Sequence, residues 1–145
     1  MKPIEILIAV LLFSASPFAL SASLISAKEA ALPAASGVLA TRGISRGPSV
    51  KLTSPEADTP VLAPFNFKVN FEARGDSKID LSSVKVTYMK SPFIDLTPRL
   101  KNAISINGID FANADVPPGT HAIRISVKDS DGRETNSVLT ILVSK

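Results

Sequence analysis

Residues 65–72 read FNFKVNFE, and this stretch decides the fold of the chain. Its odd-numbered positions are all apolar, and its even-numbered positions are all polar or charged. Because side chains of an extended backbone alternate between two sides, this pattern is typical of a strand with one face on a core. We therefore expect a half-buried β-strand whose aromatic face packs inside the protein.

The same two-residue period recurs along the chain from Pro48 onward. The further alternating stretches are 50–53, 84–89, 104–106, 109–111, 122–128 and 137–143. Turn sequences separate them, and Asn107-Gly108 and Asp131-Gly132 both favour hairpins. About seven short strands without a long helix predict an all-β chain, folded as a β-sandwich of antiparallel strands over residues 48–145.

Residues 1–22 have the order of features found in a secretory signal peptide. Lys2 supplies positive charge, Ile6–Phe13 is an uncharged apolar run, and Pro17 then interrupts it before a series of small residues. The apolar run is about half as long as the roughly 20 residues that a membrane-spanning helix needs. We expect cleavage after Ser21 or Ser23, which would leave no stable membrane anchor.

Residues 23–47 are rich in alanine, serine and glycine and end at Gly47, before Pro48. This composition predicts a flexible leader to the domain. One turn of helix is possible before Pro33. The alternative is a strand or anchor that becomes ordered on a partner.

The chain has no cysteine. This excludes disulfides, thiolate metal sites, thiol catalysis and a lipid-modified terminal cysteine. An exported domain that also lacks an N-x-Ser/Thr sequon fits the bacterial periplasm, or secretion from a bacterium, better than a eukaryotic secretory route. The net charge of +3 is too small to indicate nucleic-acid binding.

The run VPPGTHAIRISVKDSDG at 116–132 resembles the penultimate and last strands of bacterial immunoglobulin-like domains. Those domains, like fibronectin type III modules, have a Pro-Gly corner, an alternating strand and an Asp-Gly turn. Residues 50–55 resemble their first strand and its exit. The resemblance covers most of residues 48–145 and implies an immunoglobulin-like sandwich of about seven antiparallel strands, an architecture that hosts many unrelated functions.

His121 is the single histidine and therefore the first candidate for a base or a metal ligand. It shares its side of the strand with Ile123 and Ile125, so we expect it to face the core. Fibronectin-like domains often have a tyrosine near this corner that bonds to the backbone, and His121 is predicted to fill that role. Catalysis would need an oriented partner and a nucleophile. We predict no enzyme and no cofactor.

Asp129 and Asp131 are spaced like the first carboxylates of a calcium loop. Arg133 follows where another oxygen ligand would be needed, so a tight turn between two strands is the main prediction. A weak calcium site at Asp129 and Asp131, joined by Asp110 or Asp115, is the alternative.

The polar faces of two strands carry Lys85, Arg124 and Lys128, and Arg133 follows at their end. These strands are neighbours in the immunoglobulin-like arrangement, so the positive side chains should cluster. The cluster is either an ordinary solvated face or a docking surface for an anionic group.

The segment 91–100 is apolar for a loop. We expect Phe93, Ile94 and Leu96 to plug an open end of the sandwich, with an exposed recognition loop as the alternative.

The sequence thus predicts a non-catalytic exported module, a binding or structural protein of the cell envelope. Its partner would be an envelope protein or an anionic glycan, and the chain would be a monomer or weak oligomer. A small-ligand or calcium-binding sandwich and a strand-donating assembly subunit are the alternatives.

Overall fold

The stretch FNFKVNFE forms a β-strand whose residues alternate between buried and exposed at every position, as its pattern predicts. The computed structural model describes residues 22–36 and 45–145. The predicted signal peptide, apart from Ala22, lies outside these residues. The strands are β1 Ala22–Ser23, β2 Ser49–Ser54, β3 Phe65–Glu72, β4 Ile79–Tyr88, β5 Ile94–Asp95, β6 Ile104–Ser105, β7 Gly108–Asp115, β8 Gly119–Asp129 and β9 Glu134–Val143. The helical turns are α1 Ala27–Ala30 and α2 Thr97–Leu100, the latter followed by a 3-10 turn at Lys101–Ala103.

The strands form two sheets within the described residues. One sheet has the order β1-β7-β3-β2, and β6 also pairs with β7. The other has the order β5-β4-β8-β9. All ladders between these strands are antiparallel except the one between β1 and β7. The prediction of an all-β chain is confirmed, and the two sheets are compatible with a sandwich.

The core lies between the apolar faces of the two sheets. Its largest fully buried strand residues are Phe67 and Ile109 from the first sheet and Tyr88, Ile123, Ile125 and Ile141 from the second. Burying one such side chain contributes about 1.5–3 kcal/mol. The alternating pattern in the sequence therefore predicted correctly which strand residues are buried in the core.

The predicted hairpin at Asn107-Gly108 is confirmed, since Ile104 pairs with Ile109 and Ser105 with Gly108. Gly108 has a positive φ of 138°. A Cβ atom there would lie 1.8 Å from the carbonyl oxygen of Val69. Glycine is required because β7 approaches β3 so closely at this point.

Residues 22–36 belong to the folded domain, which corrects the expectation of a flexible leader over this part of 23–47. Ala22 and Ser23 pair in parallel with the end of β7. Leu24 and Ile25 are buried, with 0% and 2% of their surface exposed. The alanine-rich composition concealed this because two adjacent apolar residues produce no periodicity. The remainder of the predicted leader up to residue 44 lies outside the described residues.

Of the helices formed by the described residues, none has the length and apolar character needed to cross a membrane.

Candidate functional site

The single histidine lies in the core at the start of β8, with 2% of its surface exposed. Its Nε2 atom is 2.7 Å from the carbonyl oxygen of Pro117, and its Nδ1 atom is 2.8 Å from the hydroxyl of Tyr88. A carbonyl can only accept, so Nε2 carries the proton and Nδ1 accepts from Tyr88. The predicted corner role of His121 is confirmed by this bond to the backbone.

Burial lowers the pKa of His121, and the positive charge of nearby Lys90 lowers it further. The hydrogen bond to Pro117 acts in the opposite direction but does not outweigh these effects. Burial also raises the pKa of Tyr88. Both side chains are therefore neutral at pH 7, and each nitrogen of the ring is already engaged. His121 is thus a structural residue with no open position for substrate or metal.

The carboxylate of Asp129 holds the β8–β9 turn together. Its Oδ1 atom accepts the backbone N–H groups of Asp131 and Arg133 at 3.0 and 2.9 Å, and its Oδ2 atom accepts Nε of Arg133 at 2.9 Å. Although burial by itself would raise the pKa of Asp129, these bonds hold it below its ordinary value. The geometry supports the tight-turn interpretation of this sequence.

The alternative of a calcium site gains no support from this arrangement. Arg133 also donates to Asp131 at 2.9 Å, so a guanidinium occupies the position between the two carboxylates. Asp110 is on β7 in the other sheet, near Lys68, and Asp115 pairs with Ser23. Among the described residues, histidine, aspartate and glutamate form no group of three or more suited to a metal.

The predicted basic residues do lie on neighbouring strands, with Thr87 opposite Arg124 and Lys85 opposite Ser126. Two of these four basic residues, Lys128 and Arg133, form ion pairs with carboxylates. The Nζ atom of Lys128 is 3.7 Å from Glu134, and Arg133 binds the turn carboxylates.

Lys85 and Arg124 have no carboxylate within 4.0 Å among the described residues. Asp95 pairs with Thr87 on the same face, and the charge of Lys85 contributes to lowering the pKa of Asp95. The guanidinium of Arg124 lies over the ring of Phe93, 5.4 Å from its centre. Phe93 is 57% exposed, so the expectation that it plugs the sandwich is wrong. Leu96, by contrast, is fully buried as expected.

These residues form a mixed cationic and apolar surface on the outer face of the second sheet. We call it the Arg124 patch, consisting of Lys85, Thr87, Phe93, Arg124 and Val138. Val138 pairs directly with Arg124 on β9, so both side chains share this face. The sequence alternative of an exposed loop included Phe93 but not its contact with Arg124. Val138 was missed, and only the register of β8 and β9 could have shown it.

An open groove of about 540 Å³ lies beside β4, where its ladder with β8 is interrupted between Asp80 and Lys85. Its walls come from β4, the segment 95–101 and β6: Leu81, Ser82, Val84, Asp95, Thr97, Pro98, Lys101 and Ile104. The Thr97 hydroxyl and backbone amide bond to Asp95 and lower its pKa. Asp95 is therefore ionised and engaged, and the groove presents no base paired with a nucleophile.

Comparisons of the chain with protein-family models, curated proteins and solved structures found no match. The case for a function therefore rests on the residues of the chain itself.

Proposed function

We propose that the chain is a non-catalytic, immunoglobulin-like module of the bacterial cell envelope that docks an anionic partner group on the Arg124 patch. Export is supported by the order of features in residues 1–22. The absence of cysteine and sequons in the sequence supports a periplasmic or secreted location.

The division of strands between the two sheets supports the immunoglobulin-like part of this proposal. Strands β2, β3, β7 and β6 share one sheet, while β4, β8 and β9 share the other. If β2 is taken as the first strand, this is the division of A, B, E and D against C, F and G in that architecture. The bond from His121 to the corner backbone fits the same interpretation.

The observation that carries the proposal is the contrast between engaged and free polar groups. His121, Asp129 and Arg133 are held by internal bonds, so they have no capacity left for chemistry. Lys85 and Arg124 stand on an outer face and form no ion pair within 4.0 Å among the described residues, although Asp95 is near Lys85. A binding surface fits this distribution better than an active site does.

The patch also indicates what it would bind. A guanidinium is a planar fork of donors that matches phosphate and carboxylate groups. Phe93 holds the guanidinium of Arg124 in place and adds exposed apolar area beside it. A phosphate-bearing envelope glycan or an acidic patch of an envelope protein offers both an anion and apolar contact.

The test is capture of envelope material by the immobilised mature chain. We expect the double variant K85E/R124E to lose capture, because both free cations are reversed. The matched control K51E/R74E makes the same charge change on the other sheet and in the β3–β4 loop, and it should capture normally. Equal capture by both variants would contradict the proposal, and equal loss would show only a net-charge effect.

A further inference from the structure

Strand β5 covers only one end of the outer edge of β4. It is two residues long and pairs with Thr87 and Tyr88. The N–H of Leu96 donates to the carbonyl of Val86 at 2.8 Å, and the chain then turns into α2. The rest of this edge, from Val86 back to Ile79, has no partner strand among the described residues.

Val84 presents its backbone groups to this open part of the edge. Both backbone groups of Val86 face the side of β5, since its N–H donates to the Thr97 hydroxyl at 2.9 Å and its carbonyl accepts from Leu96. Burial alternates regularly from Val84 to Tyr88. The N–H and carbonyl of Val84, two residues before Val86, therefore face the same side. A strand edge of this kind is a template for pairing with another chain.

The open groove described above lies along this part of β4. Leu81, Ser82 and Val84 form one wall, while Pro98 and Ile104 supply apolar area from α2 and β6. Its volume of about 540 Å³ is within the range of roughly 300–1,000 Å³ found for ligand sites. The groove thus continues the path of β5 along β4 and places apolar side chains beside an open backbone edge.

The charges around the groove favour an acidic ligand. Asp95 and Lys101 are the charged residues that line it. Oδ1 of Asp95 accepts the N–H of Thr97 at 3.0 Å, whereas Lys101 is exposed and forms no ion pair within 4.0 Å among the described residues. Lys85 follows Val84 on the outer face, with Asp95 near it. Lys101 is therefore the main cation open to an acidic group.

We propose that the groove binds an extended, acidic and apolar segment of a partner protein, which adds to β4 as an antiparallel strand in line with β5. The residue opposite Val84 exchanges backbone hydrogen bonds with it, and its side chain shares the inner face of the sheet. A peptide repeats N–H and C=O groups at the spacing of a strand edge, and a glycan has no such repeat.

This inference rests on the proposed function in treating the chain as a binding module, but it concerns a second surface. The residues that line the groove are all different from those of the Arg124 patch. The two sites can therefore be tested separately.

The first experiment measures binding of the labelled peptide TEVEVEVT to the mature chain by fluorescence anisotropy. In the proposed arrangement the valine side chains face inward, so the valine N–H groups point at β4 and the glutamate N–H groups point to solvent. N-methylation of the valines should weaken binding at least about tenfold, because it removes the donors. N-methylation of the glutamates is the matched control and should change little. Equal affinity of the two methylated peptides, or no binding of the parent peptide at millimolar concentration, would overturn the proposal.

The second experiment changes the groove itself. Leu81→Asp and Leu62→Asp make the same substitution at two exposed leucines, of which only Leu81 lines the groove. The first should weaken peptide binding about tenfold, through lost apolar contact and added repulsion, and the second should not. Lys101→Glu should weaken it about fivefold, whereas Lys51→Glu on β2 should have no effect. Equal effects within either pair would refute the groove as the site.

The same peptide separates this inference from the proposed function. Binding lost in Arg124→Glu and kept in Lys101→Glu would place the peptide on the Arg124 patch, which would overturn the groove site but support the proposed function. Binding that depends on Lys101, in a chain whose Arg124 patch captures no envelope material, would support the groove and contradict the proposed function. A chain that dimerises without peptide and becomes monomeric in Leu81→Asp would show that the occupant is a second copy, against the proposal.

Discussion

The two ends of β8 each bury one polar side chain, and one of these side chains is neutral while the other is ionised. His121 at the start of the strand and Asp129 at its end are both 2% exposed. His121 is neutral and bonds to Tyr88 and to a backbone carbonyl. Asp129 is ionised and accepts two backbone N–H groups and one guanidinium. One strand thus meets the same desolvation problem in two ways, by removing the charge or by surrounding it with donors.

The largest effect is expected from His121→Ala. It removes the ring from the core and leaves the Tyr88 hydroxyl and the Pro117 carbonyl without partners. We expect a loss of about 3–5 kcal/mol in the free energy of unfolding, measured by urea denaturation. The neighbouring variant Arg124→Ala, on the outer face, should change stability by no more than about 0.5 kcal/mol. A comparable loss in both would show that position in the strand matters more than the buried bonds.

Asp129→Asn tests whether the turn needs the charge or only the acceptor. The amide can still accept one backbone N–H, but its NH₂ group would face the guanidinium of Arg133. We expect a clear loss of stability, smaller than that of His121→Ala. Asp131→Asn is the matched control, because Asp131 is exposed and its pairing with Arg133 is worth less than about 1 kcal/mol. If the two variants unfold at the same urea concentration, the turn does not depend on the buried carboxylate.

The pH dependence of stability should separate the two ends of the strand. The pKa of His121 is below its ordinary 6.5 in the folded chain, so the unfolded chain binds a proton first as the pH falls. Stability should be constant above about pH 6.5 and decline below it. The pKa of Asp129 is below its ordinary 3.8, so its contribution is complete above that pH and is lost as the pH falls through the folded value.

His121→Gln provides the control for this titration, since glutamine can donate and accept but does not titrate. Urea midpoints measured across the acidic range should lose the upper step in this variant and keep the lower one. An upper step that persists would have to come from another group.

The smallest effect is expected from calcium. A ligand that binds only the folded state raises the melting temperature. Because Asp129 is already saturated with donors, added calcium should leave the melting temperature of the chain unchanged. A rise that increases with calcium concentration, and that Asp131→Asn removes, would restore the calcium alternative.

The sequence predicted those features that depend on neighbouring residues. The alternation of β3 and the turn at Asp131-Gly132 are local, because side-chain direction and turn type are set within a few residues. The corner role of His121 followed from its side of the strand and from a resemblance. The pairing of Lys128 with Glu134 was also accessible, since the turn fixes the register of the two strands.

The features that the sequence did not predict join residues far apart in the chain. Arg99 binds Glu29 seventy positions away, and Tyr88 bonds to His121 across two strands. No pattern within a window of residues contains such a pair. For residues 22–36 one local signal was present, because Ser26 and Glu29 have the spacing of a capping box.

The pairing of Ala22 with Ala114 also has a consequence for the order of events under the proposed export. Residues 22–36 would enter the new compartment first, and their partner strand β7 would follow only after most of the domain had crossed. Leu24 and Ile25 would spend that interval without their burial site, and residues 22–36 would be the last part to dock on the domain. An element that arrives first and docks last would be open to capture by a holding chaperone on the far side of the membrane.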